Sequence, residues 1–113
     1  MNESASVFSR LESTLADRYR RRPDDSYTTK LFEGGAEAIG AKLCEEAQEL
    51  AEALAQTGTA ARQLTIHEAA DVVYHLMVAL QFRQISWQDV AHELARREGQ
   101  SGLEEKRSRA PRS

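Results

Sequence analysis

The sequence predicts an all-α protein, a four- to five-helix bundle whose core is completed by homodimerisation. Three observations carry that expectation. Apolar residues recur at helical spacing through long stretches of the 113-residue chain. Aromatic residues make up only 6% of it, which suits helices better than a β-sandwich. One of the stretches is apolar on nearly all sides, and a chain this short has few helices to cover both of its faces.

The first helix is expected over residues 4–22, where Val7, Leu11, Leu15 and Tyr19 repeat every four positions with Phe8 alongside. Ser4 or Ser6 is placed to cap it. Arg18 and Arg20 to Arg22 put positive charge at its last turn, where the helix dipole favours it. Pro23, Asp24, Asp25 and Ser26 break the pattern as a loop. Residues 26–32 read as an ordered loop entering a short helical turn that ends at Gly34 and Gly35.

A second helix is expected over about residues 36–56, stopping near Gly58. Ile39, Leu43, Ala47, Leu50 and Leu54 form its apolar stripe. Glu46 falls at the edge of that stripe, Glu49 and Lys42 just beyond it, and Glu45 and Glu52 further toward water. A third helix starts near Ala60 or Thr65 and runs to Arg83. Ile66, Ala69, Val73, Leu76, Met77 and Leu80 make one apolar face, while Val72, His75, Val78, Ala79 and Phe82 share the opposite side with Glu68 and Asp71. Those two acids are therefore expected to point into a second packing surface, covered by a second subunit. Ser86, Trp87, Gln88 and Asp89 read as a capping box opening a fourth helix to about Glu98, which would bury Val90, Leu94 and Trp87. Gly99 would end it. The expected organisation is one domain over 1–98 and a polar tail over 99–113, with Pro111 near its end and too little apolar content to fold alone.

The bulk numbers exclude several classes. A net charge of −3 argues against a general nucleic-acid binder. A single cysteine, Cys44, rules out an internal disulfide and reads as a packing residue in a reducing compartment. There is no secretory signal pattern, and no apolar run approaches the roughly 20 residues that cross a bilayer. A cytoplasmic location with no membrane partner is the expectation.

The chemistry concentrates in two i, i+3 acidic pairs, Glu46 with Glu49 and Glu68 with Asp71, with eighteen residues between them. Residues three apart on a helix share a face, so each pair can offer two carboxylates to one point. Two such helices packed antiparallel would gather four, which repel unless a cation neutralises them. A hard ion such as Mg²⁺ takes oxygen ligands and is usually completed by waters and substrate phosphates, so the pattern suggests phosphate chemistry. Lys42 could reach such a phosphate or simply pair with Glu46 at i, i+4, and Lys30 sits in the Ser-Tyr-Thr loop as a candidate for a functional contact. His75 reads either as a partner behind the carboxylates or as a satisfied core histidine. No glycine-rich phosphate loop, Ser-His-Asp set or zinc-ligand spacing is present.

Taken together, Ser26, Tyr27 and Thr28 with Lys30, Leu31 and Phe32, then Lys42 with Glu45, Glu46 and Glu49, then the run from Glu68 through Tyr74, His75 and Leu76, resemble the phosphoribosyl-ATP pyrophosphatase family. That family is a branch of the all-α nucleoside-triphosphate pyrophosphatases that include the MazG proteins. The polar run over 96–106 is similar to the C-terminus of many stand-alone bacterial members. The resemblance implies Mg²⁺-dependent hydrolysis of phosphoribosyl-ATP to phosphoribosyl-AMP and pyrophosphate, the second step of histidine biosynthesis. It implies metal binding by Glu46, Glu49, Glu68 and Asp71, and phosphate contacts from Lys30 and Lys42. In the mechanism that follows from it, Glu45 or Glu49 orients the attacking water or accepts its proton. Gln48 through Ala53 read closer to general nucleotide pyrophosphatases, and Cys44 stands where a glycine is common in this branch. A housecleaning enzyme for non-standard nucleoside triphosphates is thus the alternative, and a non-catalytic helical interaction module is the competitor from another class.

Overall fold

The computed structural model describes residues 3–100 and 102–109 and contains five helices among them: α1 (Glu3–Arg21), α2 (Tyr27–Leu54), α3 (Ala60–Phe82), α4 (Trp87–Arg96) and α5 (Gly102–Ser108). No strand occurs among the described residues. Helices α2 and α3 form the main packed pair, and α1 lies against both. The core is small: Leu15 from α1, Leu31, Phe32 and Ile39 from α2, and Met77 and Val78 from α3. Each such side chain contributes about 1.5–3 kcal/mol on burial, so this cluster holds the three long helices together.

Several expectations change at the N-terminal half. Helix α1 already includes Ser4 and Ser6, so neither residue caps it; their side chains lie outside the described residues. The segment expected to be an ordered loop is helical from Tyr27 onward. Ser26 has an extended backbone, and its hydroxyl accepts a hydrogen bond from the Thr29 amide at 3.2 Å, an N-cap that starts the helix earlier than expected. The short helix ends at Gly34 and Gly35 as expected, Gly35 taking φ 74° and ψ −166°, a region open essentially to glycine alone. Residues 27–34 are thus a short helix that turns at Gly35 into the long one, seating Leu31 and Phe32 in the core. Phe32 meets Tyr19 edge-on at 4.9 Å between ring centroids.

The apolar stripe expected on α2 is also rotated. Ile39, Glu46 and Ala53, spaced by seven, are its buried line, whereas Ala47 and Leu54 are exposed. Glu46 therefore sits in the middle of the packed face rather than at its edge. Cys44, expected to pack, is exposed. On α3, His75, Met77 and Val78 are buried, while Ile66, expected on the apolar face, is largely exposed.

Helix α4 opens with the expected capping box: the Asp89 amide donates to Ser86 Oγ and the Ser86 amide to Asp89 Oδ2, both at 3.0 Å. Glu12 of α1 adds a second anchor, accepting from the Trp87 amide at 2.6 Å, and Phe8 stacks on Trp87. No residue of α4 is fully buried; Trp87 and Val90 are half-buried, and Leu94, expected in the core, is exposed. Gly99 takes φ 84° just beyond it. Within the polar tail lies the short helix α5; Pro111 lies outside the described residues. No helix among the described residues is long and apolar enough to cross a membrane.

Candidate metal centre

The antiparallel pairing of α2 and α3 brings their acidic positions face to face. Glu46, Glu49 and Glu68 each place a carboxylate oxygen within 4.8 Å of the other two. Glu68 also belongs to a second group of the same compactness with His67 and Asp71. The four expected ligands thus fall into two groups that share Glu68, which is joined by Glu46 and Glu49 in one and by Asp71 and His67 in the other. His67 was not anticipated from sequence. It lies one turn before Asp71, and its Nε2 is 3.4 Å from Asp71 Oδ2; the i, i+4 spacing was the available signal.

Burial makes the cluster costly as protein alone. Glu46 is 6% exposed. Its Oε2, and Oε2 of Glu68, are buried with no hydrogen-bond partner among the described residues. An orphaned buried carboxylate oxygen is strongly unfavourable. The charge of Glu46, more than partial burial, raises the Glu49 carboxyl above the ordinary carboxylate range, with Glu68 and Glu45 adding to it. Convergent, oxygen-only and partly unpartnered, Glu46, Glu49 and Glu68 fit a hard divalent cation.

One cation, Lys42, borders the site. Lys42 Nζ lies 3.3 Å from Glu45 Oε1 and 3.5 Å from Glu46 Oε1, so the i, i+4 pair anticipated as the simpler role is formed, together with a bond to Glu45. That hydrogen bond to Glu45 chiefly raises the Lys42 pKa and keeps it protonated. Glu45 is mostly exposed and engaged with Lys42 outside the three-carboxylate group. Lys30 is exposed, one turn after Tyr27 on the same face of the short helix.

Behind the carboxylates, α3 is tied to the residue 27–34 helix. Thr28 Oγ1 and Tyr74 Oη are 2.8 Å apart, and Tyr27 Oη is 2.9 Å from His75 Nε2. His75 Nδ1 is 2.7 Å from the Asp71 carbonyl oxygen. The buried histidine is therefore satisfied on both nitrogens, the core role among those expected. Tyr27 itself was missed as a site residue. Its ring is half-exposed, and burial raises its phenol above the ordinary value of 10.0, against an opposing pull from nearby Lys42.

The profile of the family described as phosphoribosyl-ATP pyrophosphohydrolase matches residues 8–98, most of α1 and all of α2, α3 and α4. A phosphoribosyl-ATP pyrophosphatase of Rhodopirellula baltica is 55% identical over 109 residues, covering 96% of this chain and 91% of that protein. One from Dechloromonas aromatica is 45% identical over 103 residues, covering 91% and 93%. The histidine biosynthesis bifunctional protein HisIE of Wolinella succinogenes is 43% identical over 103 residues, 91% of this chain but 44% of that longer protein. With the matched span enclosing every residue of the carboxylate site, the chain belongs to the phosphoribosyl-ATP pyrophosphohydrolase family.

Proposed function

We propose that this protein hydrolyses the α–β phosphoanhydride of phosphoribosyl-ATP to phosphoribosyl-AMP and pyrophosphate with Mg²⁺, as the second step of histidine biosynthesis in the cytoplasm. The observation that carries this reading is the convergence of Glu46, Glu49 and Glu68, two of them with buried orphan oxygens, in a chain of this family. Glu46, Glu49 and Glu68 would hold the ion, with Asp71 bordering through Glu68. When bound, the ion supplies charge neutralisation and Lewis-acid polarisation of phosphate oxygens.

The chain's own residues supply position and proton transfer. Glu49, whose proton affinity is raised, or Glu45, on the outer side, orients a water toward the α-phosphorus and takes its proton. The new oxygen–phosphorus bond forms as the bond from the α-phosphorus to the bridging oxygen breaks, and pyrophosphate leaves. Lys42 and Lys30 balance its charge. A reaction carried by positioning and charge needs no covalent nucleophile.

The functional unit is residues 1–98, the tail over 99–113 being an accessory, and it works as a homodimer. Supporting the dimer is an apolar groove of about 310 Å³ between α1 and α3, lined by Val7, Leu11, Ala69, Val73 and Tyr74. Sedimentation at micromolar concentration should give twice the chain mass; a monomer would remove that part of the reading.

The deciding assay is pyrophosphate release from phosphoribosyl-ATP beside a panel of nucleoside triphosphates, with and without Mg²⁺. Turnover of phosphoribosyl-ATP that requires Mg²⁺ is expected. Turnover confined to the other nucleotides would move the protein to a housecleaning role, and no turnover at all would leave an interaction module.

A further inference from the structure

We propose that Tyr27 and His75 form a latch that sets Lys30 against the carboxylate site, making both of them positioning residues for pyrophosphate. The proposal rests on the hydrolase reading above and adds to it residues with no charge and no metal role.

The geometry starts from a carbonyl. The Asp71 backbone oxygen can only accept, so His75 Nδ1, 2.7 Å away, carries a hydrogen. In the neutral ring Nε2 is then an acceptor, and Tyr27 donates its hydroxyl to it at 2.9 Å. This chain runs from the backbone of a metal-centre residue on α3, through a buried ring, to the first residue of the short helix. The Thr28–Tyr74 bond at 2.8 Å pins the neighbouring residue to α3 as well. Gly35 is the joint about which the short helix would otherwise swing, since its φ of 74° and ψ of −166° belong to neither adjoining helix. Lys30 shares a helix face with Tyr27, and the Tyr27 hydroxyl lies within electrostatic reach of Lys42 and Glu46. Whatever fixes Tyr27 therefore fixes where Lys30 stands relative to Lys42. With its hydrogen committed to His75, the phenol oxygen offers only lone pairs to the nearby Lys42 ammonium.

The test uses the full-length protein. Nitrogen-15 NMR of the imidazole should report His75 as the Nδ1–H tautomer in the wild type; an Nε2–H tautomer would overturn the latch. Tyr27→Phe keeps the ring and removes the donor. Losing one such hydrogen bond predicts roughly a fivefold weaker affinity for inorganic pyrophosphate by calorimetry, and a matching rise in KM with kcat within about twofold. In a Lys30→Ala background the same substitution should add little, because the latch acts through Lys30. A merely structural role would lower the melting temperature, leave KM unchanged and give additive effects, and that pattern would overturn the proposal. Pyrophosphate binding does not depend on turnover, so it judges the latch even if phosphoribosyl-ATP proves not to be the substrate.

Discussion

Glu46 on α2 and Glu93 on α4 are both glutamates with a basic residue one helical turn away, yet they live in opposite electrostatic worlds. Glu93 is forked by Arg96 at 2.7 Å and Arg97 at 3.0 Å on an exposed surface, and these guanidiniums hold its pKa down at about 2. Glu46 is buried, shares one ammonium with Glu45, and faces Glu49 and Glu68. Its neighbours push the Glu49 proton affinity the other way. Helical spacing is the same in both places. The difference is α3, which packs over one glutamate and brings more acid with it. A satisfied carboxylate at the surface needs nothing further, whereas an acid cluster with orphan oxygens can hold a cation.

The largest expected effect comes from neutralising the buried acid. Glu46→Gln should reduce Mg²⁺-dependent hydrolysis at least a hundredfold, on the scale of losing a group that acts on the reacting phosphates, with the helical circular dichroism retained. Asp71→Asn should be similarly inactive. Glu93→Gln should leave the rate at the wild-type level, and equal losses at both glutamates would erase the contrast. Next is the joint that places the site. Gly35→Ala forces a side chain into a glycine-only region and should cost about 1–3 kcal/mol of stability by urea denaturation.

The smallest effect is in pH, where the two glutamates predict opposite slopes in metal-free protein. Because the Glu49 pKa is raised above 4.5, the folded chain holds a proton that the unfolded chain has released in the window just above that value. Stability should therefore fall as pH rises through it. Glu93 is depressed, so the stability it contributes is present above 4.5 and lost as pH falls toward about 2. Melting curves in chelator should show Glu49→Gln flattening the first slope and Glu93→Gln the second.

Much of this contrast was legible in the sequence. The spacing of Glu46, Glu49, Glu68 and Asp71 picked out the acids that the two helices gather into compact groups, because i, i+3 geometry is local. The capping box at Ser86 and Asp89 was legible for the same reason. What failed was whatever depends on tertiary packing. Ala47 and Leu54 look apolar on paper but are exposed, so the stripe drawn through them placed Glu46 at an edge when it lies on the buried line with Ile39 and Ala53. Residues 26–32 read as a loop entering a short helical turn because Tyr and two threonines have weak helix propensity. The Ser26 cap and the seating of Leu31 and Phe32 override that preference. Tyr27 meets α3 through a long-range contact with His75 that no local spacing could select, whereas His67 was open to the i, i+4 rule.

The most direct test of the central claim is calorimetric titration of the chelated wild-type protein and Glu46→Gln with MgCl₂, without nucleotide. Saturable binding to the wild type and at least tenfold weaker binding to the variant is the predicted result. Indistinguishable isotherms, or none in either protein, would mean that the buried carboxylates are tolerated without a cation, contradicting the metal centre.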